Sequence, residues 1–182
     1  SEKLNVFIEE LFTQVDYELK DLAAVSVSKG PGSYTGLRIG VSSAKGFCYA
    51  LDIPLISIDS LSALACSYLN NTVINGNTIL MPMIDARRME VYTAAFNNEA
   101  ELLNSISAEV VDKEFFDTNK QIILIGDGAE KCNAIIPANV RIENHLSSAQ
   151  GMTNLSYLKF SRKEFEDVAY FEPFYLKSFK FG

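Results

Sequence analysis

A chain of 182 residues is long enough for one domain or two small lobes, and its core can be stable without disulfides. Hydrophobic residues make up 48% of the chain and charged residues 21%, which excludes an intrinsically disordered protein. Sixteen basic residues against twenty-three acidic residues give a net charge of −7, which excludes the predominantly basic surface of a protein that binds nucleic acid alone.

The first predicted element is a helix over residues 1–20. Apolar side chains recur at helical spacing, beginning with Leu4, Ile8 and Leu11, and two phenylalanines widen the stripe. A stripe of this width makes either two contacts within the chain or one within the chain and one with a partner.

A short, apolar and β-branched segment at residues 23–28 predicts a buried strand. Gly30, Pro31 and Gly32 follow it, and together they favour a loop. A strand, a glycine loop and a helix in this order can present backbone N–H groups to an anion. The spacing fits neither a Walker loop nor the G-x-G-x-x-G dinucleotide fingerprint, so the phosphate signal is weak.

A helix is predicted over residues 37–50, and either Ser33 or Thr35 is placed to cap its first turn. Its two internal glycines each cost about 1 kcal/mol relative to alanine. Small side chains on one face allow another backbone to come close, either within the chain or between molecules. This ridge consists of Gly36, Gly40, Ser43 and Ala44, with Phe47 one turn further on.

The rest of the chain alternates predicted strands and helices, which indicates an α/β fold. Turn residues at 70–76 are predicted to link two lobes. The predicted strands occupy residues 23–28, 54–58, 78–84, 90–96, 101–111 and 121–125. The later predicted helices occupy residues 60–69, 129–135 and 149–166, with another short helix capped by Asp112.

Two polar connections are candidate binding features. Asp85, Arg87 and Arg88 crowd the turn between two strands, which is either a solvated turn with an internal ion pair or the polar rim of a cleft. The other connection is either an ordinary turn or a nucleotide-binding loop, and it consists of Gly126, Asp127 and Gly128.

The inventory of reactive side chains is small. The single histidine, His145, cannot form a paired-histidine metal site, and no cluster of spaced carboxylates suggests magnesium. Cys48, Cys66 and Cys132 are widely spaced without a C-x-x-C pair, which favours reduced thiols and a cytoplasmic location. No apolar run approaches the about 20 residues that span a bilayer. We therefore predict no catalytic residue, metal or cofactor, and no membrane partner.

The string GPGSYTGLRIG at residues 30–40 resembles the signature of the TsaB (YeaZ) family of tRNA threonylcarbamoyladenosine biosynthesis proteins. Further matches follow in the same order at residues 53–61, 85–92 and 172–177, and residues 1–4 also fit. The signature loop comprises Gly30, Pro31, Gly32, Ser33, Thr35, Gly36 and Arg38. The strands that open members of the family have no counterpart here, so we expect a first lobe that is incomplete at its N-terminus.

The resemblance implies the two-lobed actin-like ATPase (ribonuclease H-like) fold. The first lobe would comprise residues 1–73 and 168–182, and the second lobe residues 74–167. The resemblance further implies a non-catalytic subunit that pairs with TsaD and with the TsaE ATPase, or forms a homodimer when alone. The complex would form N6-threonylcarbamoyladenosine at position 37 of tRNAs that read codons starting with adenine. This chain would contact tRNA only as part of the complex.

We expect the stripe and the ridge to form the partner interface, with a cleft rim at Asp85 and Arg87. The interface set is Leu4, Ile8, Leu11, Gly36, Gly40, Ser43, Ala44 and Phe47. Two alternatives stay open. One is an active actin-like ATPase or sugar kinase, and the other is a dinucleotide-binding oxidoreductase fragment with Asp59 on a ribose.

Overall fold

The structure is a computed structural model, and it describes residues 3–116 and 119–177. Within these ranges the chain forms four α-helices and seven strands. The helices are α1 (Leu4–Thr13), α2 (Tyr34–Leu51), α3 (Ser60–Leu69) and α4 (Thr153–Ser161). The strands are β1 (Val25–Gly30), β2 (Leu55–Asp59), β3 (Thr78–Asp85), β4 (Glu90–Thr93), β5 (Ser107–Val110), β6 (Gln121–Ile125) and β7 (Val140–Glu143). Short 3-10 helices lie at Leu19–Asp21, Ala129–Cys132 and Ala149–Met152.

The first sheet contains β1 and β2, which are parallel and joined through α2. The buried face of α2 packs on one side of this sheet, where Ala44 and Cys48 share a cluster with Leu55. On the other side, Leu155 of α4 packs against Ile56. A parallel pair covered on both faces explains why consecutive residues of β2, Leu55 and Ile56, are both apolar and buried.

The second sheet contains five strands in the order β5-β4-β3-β6-β7. Strands β3, β6 and β7 are parallel to one another, whereas β4 and β5 add to β3 in antiparallel pairs. Helix α3 covers one face, where Leu64 belongs to the same buried cluster as Leu80, Phe96 and Ile123. Strand β3 is central in this sheet, as the continuous apolar run at residues 79–84 favours.

Most predicted elements form where the sequence pattern is strong, and the differences arise from loop chemistry. The predicted helix over residues 1–20 ends at Thr13. The strand predicted from residue 101 begins only at Ser107, because Asn97 Oδ1 accepts the N–H groups of Glu99 and Glu101 and forms a polar turn instead. Strand β7 was missed, since only Val140 in it is buried.

Three predicted helices differ from the structure. Asp112 caps a turn rather than a helix, with its Oδ1 accepting the Phe115 N–H at 3.1 Å. The helix predicted at residues 129–135 is a four-residue 3-10 helix. The one predicted at residues 149–166 is a 3-10 turn followed by α4, and the chain leaves it at Lys163, whose φ is +57°.

We keep the division into two lobes as a proposal, with one lobe around each sheet. Helix α4 falls within the range predicted for the second lobe, yet it packs on the first sheet. Residues 178–182, assigned to the first lobe, lie outside the described residues.

Candidate functional site

The signature loop carries the chain from β1 into α2 and is held by a C-terminal strap, which we define as residues 168–177. Gly30 has a φ of +112°, and a Cβ at this position would lie 2.7 Å from the carbonyl oxygen of Phe174. The Phe174 N–H donates to the Lys29 carbonyl at 2.7 Å. Both the backbone conformation and the close approach of the strap therefore require glycine at the start of the loop.

The first turn of α2 is fixed by a cap and by aromatic contacts. Ser33 Oγ accepts the Gly36 N–H at 3.3 Å, which decides between the two predicted capping residues. The ring of Tyr34 lies 4.9 Å from the ring of Tyr175 in the strap. The guanidinium of Arg38 stacks over the same Tyr34 ring at 4.8 Å, so this arginine of the signature is part of a local stack.

A cleft of about 550 Å³ opens beside the signature loop, between the two sheets. The hydroxyls of Ser28 and Ser60 lie 2.6 Å apart on one wall. Asp127 and residues 146–149 belong to the lining as well. The signature glycines Gly32, Gly36 and Gly40 also line the cleft. Hydroxyls, one carboxylate and glycine backbone can bind a polar ligand, and the described residues contain no group of three or more metal-ligating side chains.

Asp85, which was predicted to lie at a cleft rim, forms an ion pair that the sequence did not identify. Lys131 Nζ lies 2.6 Å from Asp85 Oδ1, and the Asp85 N–H donates to Asp127 Oδ1 at 3.0 Å. The hydrogen bond from Lys131, followed by that from the Arg87 N–H, lowers the pKa of the Asp85 carboxyl. The prediction of an ion pair within the turn is therefore wrong, because Asp85 pairs with Lys131 from outside the turn and the Arg87 side chain is exposed.

The glycines of the predicted nucleotide loop are required by packing on β3. Gly126 has a φ of +97°, and a Cβ there would lie 2.3 Å from the Met83 carbonyl oxygen. A Cβ on Gly128 would lie 2.9 Å from the carbonyl carbon of Ile84. These contacts account for both glycines without a ligand, so a nucleotide at Asp127 stays a prediction. Asp59, the alternative ribose ligand, caps α3 instead. Its Oδ1 accepts the N–H of Ser62, the third residue of that helix, at 2.7 Å.

The remaining candidate nucleophiles and bases are buried or partly buried. His145 Nε2 lies 3.0 Å from Ser67 Oγ, and its ring contacts Tyr68 edge-on at 5.5 Å. Tyr68 donates its hydroxyl to Glu143 at 2.6 Å, and burial followed by this carboxylate raises the pKa of Tyr68. Burial also raises the pKa of all three cysteine thiols, which keeps them in the weakly nucleophilic protonated form at neutral pH.

Helix α1 has no fully buried residue, although its sequence is strongly apolar. Phe7 and Leu11 are each 57% exposed, and Leu4 and Ile8 are half-buried. A groove of about 600 Å³ separates α1 from Phe47 of α2. The α1–α2 surface is defined by the apolar residues that line this groove, Ile8, Phe12, Tyr17, Leu19 and Phe47. It also includes apolar residues of the two helices that are not fully buried, which are Leu4, Phe7, Leu11 and Tyr49.

The small-residue ridge of α2 divides between the interior and the surface. Ala44 is only 5% exposed and packs in the cluster that contains Val27 and Leu55, so it faces its own sheet. A Cβ on Gly40 would lie 3.8 Å from Val27 Cγ2, an ordinary contact distance. Gly36, Gly40, Ser43 and Phe47 follow one flank of the helix and are not fully buried. Ala44 is therefore the member of the predicted interface that the packed helix does not present.

Comparison with protein-family models matches residues 1–174 to TsaD, described as tRNA N6-adenosine threonylcarbamoyltransferase. The chain belongs to this family. A Bacillus subtilis (strain 168) relative, named tRNA threonylcarbamoyladenosine biosynthesis protein TsaB, is 39% identical over 54% of this chain and 41% of its own length. The Escherichia coli (strain K12) protein of the same name is 24% identical over 98% of this chain and 80% of its own length. The first alignment thus spans less than half of that relative.

Two solved structures from Pseudomonas aeruginosa share the fold. One is described as an uncharacterized protein with similarity to peptidase YEAZ; it has a TM-score of 0.80 at 22% identity and covers 97% of this chain and 84% of that chain. The other, YeaZ, has a TM-score of 0.79 at 23% identity and covers 96% of this chain and 84% of that chain. The fold is therefore the predicted actin-like, ribonuclease H-like α/β fold, and the comparisons confirm the TsaB (YeaZ) group.

Across residues 3–116 and 119–177, none of the helices has the combination of length and apolarity needed to cross a bilayer.

Proposed function

We propose that the chain is a TsaB-type subunit of the complex that forms N6-threonylcarbamoyladenosine at position 37 of tRNAs reading codons that start with adenine. In this proposal it acts in the cytoplasm as the non-catalytic scaffold of a TsaD-type catalytic subunit. The match of residues 1–174 to the TsaD family model and the names of the TsaB relatives support the pathway.

The observation that carries the scaffold role is the exposed apolar α1–α2 surface. Soluble proteins rarely expose a contiguous apolar patch of this kind unless a partner covers it. Phe7, Leu11 and Tyr49 are exposed by 57%, 57% and 87%, and the apolar side chains of Ile8, Phe12 and Phe47 line the groove. Aromatic and aliphatic anchors of this type contribute most of the binding free energy in protein interfaces.

The interface that we propose contains the residues of the predicted set that reach the surface. These are Leu4, Ile8, Leu11, Gly36, Gly40, Ser43 and Phe47. The same surface would bind either the TsaD-type subunit or a second copy of this chain, so the heterodimer and the homodimer would compete. A TsaE-type ATPase would join the assembled pair.

The non-catalytic role is supported by the state of the reactive groups. The three thiols have raised pKa values, and His145 contacts Ser67 and Tyr68 inside the chain. In this proposal the reactive groups and any metal belong to the TsaD-type subunit.

Co-purification tests the scaffold role directly. The chain is co-expressed with a tagged TsaD-type subunit, either as wild type or as Leu11→Asp, which places a charge at an exposed apolar position of α1. We expect Leu11→Asp to abolish recovery of the complex while the monomer stays folded. Gly40→Leu tests the ridge in the same assay, and we expect it to weaken recovery.

Tyr157→Asp is the matched control, because Tyr157 is also an exposed apolar residue, on α4 at 74% exposure. We expect it to leave recovery unchanged. Recovery of the Leu11→Asp complex at wild-type stoichiometry would place the docking surface elsewhere and contradict the proposal.

Nucleotide binding in the cleft is a second candidate, favoured by the convergence of Ser28, Ser60 and Asp127 beside the N-terminus of α2. An active ATPase or sugar kinase requires stoichiometric ATP binding by the isolated chain. Isothermal titration with ATP distinguishes the two functions, and for a scaffold we expect no saturable heat.

A further inference from the structure

The turn between β3 and β4 places two consecutive arginines in a backbone conformation that residues with a Cβ avoid. Arg87 has a φ of +72° and Arg88 a φ of +51°, both in the left-handed region. Hydrogen bonds from the Ala86 N–H to the Glu90 carbonyl and from the Glu90 N–H to the Arg87 carbonyl, each 3.1 Å, close the turn. Unfavourable backbone conformations of this kind concentrate at functional sites.

The carboxylates that flank the Arg87–Arg88 turn are already neutralised by lysines. Asp85 pairs with Lys131 at 2.6 Å, and Glu90 pairs with Lys177. Both arginine side chains are exposed. Among residues 3–116 and 119–177, no carboxylate lies within ion-pairing distance of either guanidinium.

The other arginines of the chain are all engaged, which distinguishes the turn from an ordinary charged surface. They contact an aromatic ring or a carboxylate: Arg38 over Tyr34 at 4.8 Å, Arg141 with Glu143 at 2.8 Å, and Arg162 with Glu164 at 3.8 Å. The turn is also the one place in the sequence where two arginines are adjacent. Two uncompensated guanidiniums are therefore held side by side on a chain whose net charge is −7.

The turn begins next to the cleft. Ile84, the residue before Asp85, lines the cleft, and the Asp85 N–H is bonded to Asp127 of the facing loop at 3.0 Å. None of the turn residues belongs to the α1–α2 surface or to the proposed interface set.

We propose that the Arg87–Arg88 turn binds backbone phosphates of the tRNA substrate once the complex has assembled. This inference rests on the proposed function, which makes tRNA the polyanion that the complex holds. A guanidinium is planar and donates two parallel hydrogen bonds to a phosphate, and it keeps its charge at every physiological pH. Phosphate contacts position an RNA without reading its sequence. An acidic chain can offer such a contact only where positive charge is locally uncompensated, and the turn is such a place.

The experiment measures binding of an unmodified tRNA transcript to the assembled complex over a range of salt concentrations. The test variant is Arg87→Gln/Arg88→Gln, and the matched control is Arg162→Gln/Lys163→Gln. The control removes the same two charges from adjacent exposed positions, and Lys163 also has a positive φ, +57°. Assembly with the TsaD-type subunit and the melting temperature are recorded first for every variant.

We expect the test variant to assemble normally but to bind the transcript about tenfold more weakly. The slope of log affinity against log salt should become less steep by roughly 1.5, since two phosphate contacts are lost. The control should match wild type in both quantities. Arg87→Lys/Arg88→Lys keeps both charges but lacks the guanidinium that donates two parallel hydrogen bonds. It should therefore have the wild-type salt slope and only part of the wild-type affinity.

The outcomes separate this inference from the proposed function. If wild type does not assemble with the TsaD-type subunit, the proposed function is wrong and the inference falls with it. If the test variant assembles and binds the transcript with wild-type affinity and slope, only the inference is overturned. If the test variant no longer assembles, the turn contacts an acidic protein surface instead of RNA, which also overturns it.

Discussion

The core beneath α3 and the α1–α2 surface are built from the same kinds of apolar residue and use them in opposite ways. Leu80, Phe96 and Ile123 are almost completely excluded from water between α3 and the five-stranded sheet. In α1 no residue is fully buried, and Phe7 and Leu11 are more than half exposed. Hydrophobic periodicity alone therefore does not distinguish a stripe that faces the interior of its own chain from one that faces solvent or a partner.

The contrast is one of free energy. Burying apolar surface contributes roughly 25 cal/mol per Å², so the core supplies the stability of the fold. The apolar side chains of the α1–α2 surface remain largely in contact with water. A partner that covers the groove beside Phe47 would therefore gain the free energy of burying them. Substitutions in the two regions should accordingly separate stability from assembly.

The largest expected effect is in the core. Phe96→Ala should lower the free energy of unfolding by about 3–5 kcal/mol, because it removes a fully buried ring and leaves a cavity. Phe96 and Leu80 exchange two backbone hydrogen bonds of 2.8 and 2.9 Å, which limits collapse of the cavity. Denaturant unfolding measures the change. Tyr49→Ala, at an 87% exposed position, is the control and should change stability by no more than about 0.5 kcal/mol.

A loss below about 1 kcal/mol for Phe96→Ala would show that the core is loosely packed, and the proposed contrast with the surface would then fail.

The second prediction concerns the ridge of α2, where interior and surface meet. Ala44→Leu should destabilise the fold by about 1–3 kcal/mol, because the added carbons overpack the cluster that contains Val27 and Leu55. Ser42→Leu, on the exposed side of the same helix, is the matched small-to-large control and should be near neutral. Thermal and denaturant unfolding distinguish the two. If Ala44→Leu leaves the free energy of unfolding unchanged, Ala44 is not packed in the core and belongs in the proposed interface.

The sequence was sufficient for features that depend on neighbouring residues. The bounds of β6 agree with the predicted strand, because Ile122 to Ile125 are a continuous buried run. Ser33 caps α2 as one of the two predicted residues, since the cap is set by local backbone geometry. The order of the motifs likewise predicted the fold and the family.

Features that depend on distant residues could not be predicted. The contact between Ser28 and Ser60, the pair formed by Asp85 with Lys131, and the sheet-facing direction of Ala44 each require knowledge of how elements pack. The positive φ values of Arg87 and Arg88 had no sequence signal, because turns of this type favour glycine or asparagine. Apolar patterning also could not show that α1 stays exposed.

The third prediction is smaller and tests the cleft rim. The folded-state pKa of Asp85 lies below its ordinary value of 3.8, so its ionised form stabilises the fold above that pH. The contribution is lost as the pH falls through the lowered pKa. Asp85→Asn should therefore cost up to about 1 kcal/mol at neutral pH, a modest loss because Asp85 is 47% exposed and screened. Unfolding at neutral pH and well below 3.8 measures the difference, which should vanish in acid.

Lys131→Met provides the reciprocal variant, and its effect should also shrink at high salt. An Asp85→Asn loss that persists unchanged in acid would mean that the carboxylate charge is not its cause.

The smallest expected effect on stability gives the strongest test of the comparison. Phe7→Ser should change the free energy of unfolding by less than about 0.5 kcal/mol, because Phe7 is 57% exposed and the two residues have similar helix propensities. The matched variant Ile8→Ser, at a half-buried position that lines the groove, should cost more. Denaturant unfolding of the isolated chain measures both, and co-purification with the TsaD-type subunit is measured in parallel.

A Phe7→Ser chain that is as stable as wild type but recovers less complex would show that this apolar residue serves association. A loss of stability as large as that of Phe96→Ala would instead show that α1 packs as part of the core, and the distinction between the two regions would not hold.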